Sequence, residues 1–108
     1  MENDSMAQVR GTTEAGKAYT TDETDILFFQ CPHNVRTGVV FFIYASTAGT
    51  AKVYYKDPGG TYRLAQTGTS VAANDLTTIR FPFPISETKL TYEGTSAGGT
   101  VNAEGRGF

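Results

Sequence analysis

The sequence predicts an all-β fold, an antiparallel β-sandwich of jelly-roll type with seven or eight short strands and an extended N-terminal arm. The 108 residues include 12 Gly, 17 Thr, 6 Tyr and 7 Phe, a composition that favours strands and turns. Short apolar segments alternate with turn residues along most of the chain. No stretch of ten or more residues has the apolar spacing of an amphipathic helix.

The chain is predicted to divide into an arm, residues 1–25, and a β-sandwich domain, residues 26–108. The apolar residues of the arm are scattered and follow neither a helical nor a strand period; they are Met1, Met6, Val9 and Tyr19. A polar segment of this kind is flexible when nothing holds it. We therefore expect the arm to rest either on the sandwich or on a neighbouring subunit.

Seven strands are predicted from the apolar segments and the turn residues between them. The first ends before Pro32, because proline lacks the N–H group that a strand ladder needs. Their spacing is typical of a single sandwich. The predicted strands span residues 26–31, 38–45, 51–56, 61–66, 76–81, 89–93 and 100–104.

Three connections between these strands have a recognisable sequence. In the DPGG segment, Pro58 fixes its own φ while Gly59 and Gly60 allow positive φ, which predicts a tight hairpin. The segment FPFPISE, residues 81–87, carries prolines at alternate positions, so we expect it to cross from one sheet to the other. The segment VAAND, residues 71–75, is long enough for one helical turn at most.

The strongest predicted strand, GVVFFIYA, is apolar on both faces. Successive side chains of a strand point to opposite sides, which gives two sets: Val39, Phe41 and Ile43, and Val40, Phe42 and Tyr44. One set is expected to pack on the opposing sheet. Since few helical residues are available to cover the other, Val40, Phe42 and Tyr44 are candidate interface residues for the arm or another subunit.

Three tyrosines flank the predicted hairpin and are further interface candidates: Tyr54, Tyr55 and Tyr62. Tyrosine provides a large contact area with a polar tip, which suits a protein interface. The same rings could instead form a platform for stacking sugar rings, although carbohydrate sites often use tryptophan and this chain has none. Packing in the core is the third interpretation of these residues.

Charge and hydropathy argue against two classes of partner. The formal net charge of −2 is unlike the basic surface of nucleic-acid-binding proteins, so no nucleic acid is expected. There is neither a long apolar stretch nor a signal segment, so no membrane partner is expected and assembly is predicted in the cytoplasm.

No catalytic residue, cofactor or metal site is predicted, and the protein is not expected to be an enzyme. Cys31 and His33 are the only residues of their kinds, and two such side chains cannot complete a four-ligand zinc site. Cys31 is expected to be a small buried side chain. The acidic run at residues 21–25 lacks the ligand spacing of a calcium loop, and the glycines near the C-terminus lack a phosphate-binding motif.

Two segments, TAKVYYKDPGGTYRLAQTG and TTIRFPFPISETKLTYEGTSAGGTVNAEG, together have a recognisable layout. A strand, a glycine-rich hairpin and a second strand are followed by a proline-bearing crossing, another strand and a glycine loop. In size and layout, residues 38–105 resemble the small jelly-roll decoration, or cement, proteins of tailed bacteriophage capsids. No family motif is specific enough to transfer the role of any single residue.

The resemblance implies a non-enzymatic structural protein on the outer surface of the virion capsid. Its partners would be the major capsid protein and copies of itself as a homo-oligomer, bound between capsomers after assembly in the host cytoplasm. The alternative is a carbohydrate-binding or host-adhesion module of a phage tail, with Tyr54, Tyr55 and Tyr62 as its platform.

Overall fold

The computed structural model of the chain describes residues 12–30, 37–65, 68–83, 85 and 87–108. These residues form nine β-strands and no helix, so this part of the chain has no helix that could cross a membrane. The strands are β1 (Thr12–Ala18), β2 (Thr24–Gln30), β3 (Val39–Ala45), β4 (Gly49–Lys56), β5 (Tyr62–Leu64), β6 (Thr69–Val71), β7 (Leu76–Phe81), β8 (Glu87–Gly94) and β9 (Thr100–Gly107).

The strands form two antiparallel sheets. Sheet A has the order β1-β9-β3-β7, and sheet B has the order β2-β8-β4-β5, with β6 also paired to β4. β5 and β6 pair with opposite ends of β4, so together they fill one strand position and the sandwich has eight. The chain changes sheet at every connection except those joining β4, β5 and β6. This is a jelly-roll arrangement, and the predicted fold class is confirmed.

The core lies between the sheets and follows the alternation of each strand. In β3, Val39, Phe41 and Ile43 are at most 2% exposed and point towards sheet B. Phe41 meets Phe29 of sheet B edge to face, with ring centroids 6.5 Å apart. Burying side chains of this size contributes roughly 1.5–3 kcal/mol each. The other large core residues are Ile26, Leu27, Val53, Val71, Ile79, Phe81, Leu90, Tyr92 and Val101.

β1 occupies a part of the chain that the sequence assigns to the arm. The structure places Thr12–Ala18 in sheet A and begins β2 at Thr24, so the sandwich includes residues on the arm side of the predicted boundary. The register with β9 shifts between Glu14 and Lys17, where Gly16 has a φ of 66°. An edge strand held by backbone pairing needs no apolar alternation, which explains why the sequence does not reveal it. Residues 1–11 lie outside the described residues.

Tyr19, which the sequence also assigns to the arm, is a core residue. Its ring stands edge-on to the ring of Tyr92, with centroids 4.7 Å apart. Its hydroxyl is hydrogen-bonded to the Thr47 hydroxyl and accepts a 3.1 Å hydrogen bond from the Thr47 N–H. The connection between β1 and β2 is therefore anchored to the connection between β3 and β4.

The predicted sheet crossing and hairpin are both present. Residues 81–87 run from the end of β7 in sheet A to the start of β8 in sheet B. In the hairpin between β4 and β5, Gly60 has a φ of 89° and its N–H donates to the Asp57 carbonyl at 2.9 Å. Residues 71–75 form no helical turn; Ala73 makes a β-bridge with Ala45, and Asn74 has a φ of 57°. Asparagine tolerates this left-handed conformation better than most residues.

Candidate functional site

The outer face of sheet A carries an apolar stripe along β3. We call Val40, Phe42 and Tyr44 the β3 stripe; Val40 and Phe42 are half-buried, and Tyr44 is 40% exposed. Leu76 of β7 lies opposite Tyr44 and is also exposed, so it extends the stripe sideways. Sheet B covers the other face of β3, and no described strand packs over this one.

Polar residues border the β3 stripe. Asn102, Glu104 and Arg106 of β9 lie beside it in register, and Arg106 donates to the Glu104 carboxylate at 2.6 Å. On the β7 side, the guanidinium of Arg80 lies 4.4 Å from the centroid of the Phe108 ring. A recess of about 210 Å³ lies between the stripe and β9. An apolar centre with a polar border is the usual anatomy of a protein interface.

The outer face of sheet B is built differently, around one lysine. We call Lys89, Phe28, Tyr54 and Tyr62 the Lys89 cluster; the ammonium lies 5.9, 5.2 and 4.9 Å from the centroids of the three rings, in that order. The ammonium also forms a 3.1 Å ion pair with Asp25. Because the lysine occupies the space between the rings, they do not form a flat, open platform.

Glu23 links three strands on this outer face. Its carboxylate accepts 2.6 Å hydrogen bonds from the hydroxyls of Tyr54 on β4 and Thr91 on β8, and Lys52 lies 3.9 Å away. Burial raises the pKa of Glu23, but these hydrogen bonds and nearby lysines together hold it below its ordinary value. The hydrogen bond to Glu23, followed by burial, raises the pKa of Tyr54 to about 12.

Glu87 has a similar role at the start of β8. It accepts hydrogen bonds from the Tyr62 hydroxyl at 3.3 Å and from the Gln30 amide at 3.2 Å, and it pairs with the Lys56 ammonium at 3.2 Å. The Lys56 contact, then the Gln30 hydrogen bond, lowers the pKa of Glu87. Burial, with the adjacent Glu87, raises the pKa of Tyr62. The carboxylate is therefore ionised at neutral pH and the phenol is neutral.

The six predicted interface residues do not form one surface. Val40, Phe42 and Tyr44 lie outside sheet A, whereas Tyr54 and Tyr62 lie outside sheet B, on the opposite side of the sandwich. Tyr55 points inward and stacks on Phe81, with ring centroids 6.1 Å apart and planes 18° apart. A platform made of Tyr54, Tyr55 and Tyr62 is therefore not assembled on one face.

Two clefts are present among the described residues at the margins of the sandwich. The β2–β8 cleft, of about 280 Å³, lies where β2 ends and β8 begins, and its lining residues are Phe28, Phe29, Gln30, Tyr62, Glu87 and Thr88. A more apolar cleft of about 310 Å³ is lined by Tyr55, Ala65, Phe81, Phe83 and Ile85. The sequence did not single out Phe28, Gln30 or Glu87 as site residues.

Metal binding has no cluster of ligands in the part of the chain that the structure describes. Within it, no group of three or more His, Cys, Asp and Glu residues could hold a metal ion. Cys31 and His33, the two residues weighed as ligands from the sequence, lie outside the described residues.

Comparisons with known proteins identify the fold. No protein-family model matches the chain and no curated protein matches its sequence. The structure is similar to the crystal structure of PirA, with a TM-score of 0.55 and 12% identity over 100% of this chain and 97% of that chain. It is also similar to the Yersinia pseudotuberculosis-derived mitogen, with a TM-score of 0.61 and 8% identity over 93% of this chain and 87% of that chain.

A carbohydrate-binding module of family 29 aligns with a TM-score of 0.41 and 10% identity, over 91% of this chain and 89% of that chain. A likeness at this score supports no argument about function. At 8% and 12% identity, the two better matches establish that the chain has a β-sandwich fold which also occurs in other proteins.

Proposed function

We propose that this protein is a non-enzymatic structural subunit of a virus particle, a capsid decoration protein that attaches through the β3 stripe. The observation that supports this proposal is the apolar outer side of β3, an interior strand of sheet A. The jelly-roll order agrees with the layout that resembles phage decoration proteins. The partners would be the major capsid protein and further copies of this chain.

The contrast between the two outer faces favours sheet A as the attachment surface. On sheet B, the lysines, carboxylates and tyrosine hydroxyls pair with one another, so that face is satisfied in water. On sheet A, Phe42, Tyr44 and Leu76 have apolar area that water still contacts. Removing apolar area from water contributes roughly 25 cal/mol per Å² before the entropic costs of binding.

Repetition strengthens such an attachment on a shell. A single face with one apolar strand would give a modest interface, since standard stable interfaces bury about 1,600 Å² in total. A decoration subunit that also contacts its own copies binds through several linked contacts, and linkage raises the overall affinity without any new kind of contact. The polar border of Asn102, Glu104 and Arg106 would fix the orientation of the subunit.

Particles purified from infected cells that express this chain provide the test. Mass spectrometry should find the chain in intact particles, and particles stripped of it should rebind the purified protein. The double variant F42S/Y44S should rebind at least tenfold more weakly, whereas L64S, which replaces an exposed leucine outside sheet B, should rebind like the wild type. Absence of the chain from purified particles, or equal rebinding by F42S/Y44S, would refute the proposal.

A further inference from the structure

The β2–β8 cleft combines an exposed aromatic ring with several polar groups. Phe28, on the outward side of β2, is 53% exposed, and its ring stands edge to face with Tyr62, 6.1 Å between centroids. Glu87 and Thr88 of β8 lie between these two rings, and Gln30 closes the end of the cleft. One wall is thus apolar and the remainder offers hydrogen-bonding groups.

Thr88 provides an independent indication that something occupies this cleft. Its residue is 1% exposed, and its hydroxyl oxygen has no hydrogen-bond partner among the described residues. Leaving a buried hydroxyl unpaired costs about 1–3 kcal/mol, so most buried hydroxyls in native structures are paired. Thr88 lines the cleft, where a ligand hydroxyl would supply the missing partner.

The charges around the cleft indicate a neutral ligand. The carboxylate of Glu87 is matched by the ammonium of Lys56, and that of Asp25 by Lys89, so two positive and two negative groups balance. A phosphate would meet the Glu87 carboxylate, and a cation would meet the two lysines. Glu87 is held in place by three donors, which orients it to accept a further hydrogen bond.

We propose that the β2–β8 cleft binds one pyranose ring of a neutral saccharide. The apolar face of the sugar packs on Phe28, and its hydroxyls bond to Glu87, Gln30 and Thr88. The volume of about 280 Å³ is at the lower end for ligand pockets, which suits a single ring rather than a buried oligosaccharide. The cleft lies on the sheet B side, so it goes beyond the proposed attachment through the β3 stripe and does not depend on it.

A nuclear magnetic resonance titration of the isotope-labelled full chain tests this site. The probes are the methyl pyranosides of glucose, galactose, mannose and N-acetylglucosamine at millimolar concentration, with inorganic phosphate as the charged comparison. At least one pyranoside should cause saturable shifts at Phe28–Gln30, Tyr62 and Glu87–Thr88. Saturation by phosphate alone, shifts confined to other residues, or no saturable shift with any pyranoside would overturn the proposal.

Three variants separate binding from folding. F28A should weaken the binding of the pyranoside about tenfold, whereas L64A, which removes another exposed side chain of sheet B, should leave it unchanged. T88V should weaken it about three- to tenfold without loss of stability, because it removes an unpaired buried hydroxyl. Binding that is equal in wild type, F28A and T88V would contradict the site. Because F42S/Y44S should bind the sugar normally, failure of shell rebinding and failure of sugar binding are distinguishable.

Discussion

Phe41 and Phe42 are adjacent in β3 and lie on opposite sides of sheet A. Phe41 is 0% exposed and meets Phe29 in the core, whereas Phe42 is half-buried on the outer face. The same strand therefore contributes to the stability of the sandwich with one set of side chains and presents an apolar surface with the other.

This difference predicts unequal costs for two otherwise identical substitutions. F41A should lower the free energy of unfolding by about 3–5 kcal/mol, because it leaves a cavity between the sheets. F42A should lower it by about 1 kcal/mol or less, because no cavity forms on an open face. Equilibrium unfolding in urea measures both values. Equal losses for the two variants would mean that the outer face of β3 is covered within the monomer.

Gly49 marks a close approach between β4 and β8 that predicts a strong effect of a single methyl group. A Cβ there would contact the Glu93 carbonyl oxygen and lie 2.6 Å from the Tyr92 ring. Both belong to a packed core strand, so G49A should destabilise the fold by about 1–3 kcal/mol. G59A is the matched variant in the hairpin, where the nearest atom would be 3.4 Å away; it should change stability by less than about 0.5 kcal/mol. Thermal unfolding of the two variants checks this order.

The hydrogen bond from Tyr54 to Glu23 predicts a loss of stability at both ends of the pH range. The pKa of Tyr54 is raised from 10.0 to about 12, so its contribution is complete below pH 10 and is lost as the pH rises towards 12. The pKa of Glu23 is lowered from 4.5, so its contribution is complete above pH 4.5 and is lost as the pH falls below that value. Urea unfolding across this range measures the effect.

The variant Y54F isolates this pair of residues. It should be less stable than the wild type at pH 7 but should lose less stability between pH 10 and 12, because the shifted phenol is gone. Y44F, which removes a hydroxyl from the exposed outer face of sheet A, should follow the wild-type profile in that interval. The same profile for Y54F and wild type would show that the Glu23 contact does not stabilise the fold.

Local features of the sequence were sufficient to predict much of the fold. The alternation in GVVFFIYA predicts both faces of β3, because the side-chain period of a strand is a property of the strand itself. The hairpin at Gly59 and Gly60 and the crossing at residues 81–87 follow from backbone restrictions of glycine and proline. β1 was missed because an edge strand pairs through its backbone and its register is broken at Gly16.

The outer face of sheet B was harder to predict because it depends on strand order. Lys89 meets Phe28 and Tyr62 only because β8 lies between β2 and β4, which no short segment encodes. One signal was available in the sequence: Tyr54 and Tyr55 are adjacent in a strand, so alternation alone places them on opposite faces. The contact of Glu23 with Tyr54 and Thr91 had no such signal, since it joins residues far apart in the chain.

Hydroxyl-radical footprinting of the chain, free and on the intact particle, tests most directly whether the β3 stripe is an attachment surface. Phe42 and Tyr44 should be oxidised in the free protein and protected several-fold on the particle, while Phe28 and Leu64 on the opposite side serve as internal references. Equal oxidation of Phe42 and Tyr44 in the two states, with the chain bound to the particle, would contradict attachment through this face.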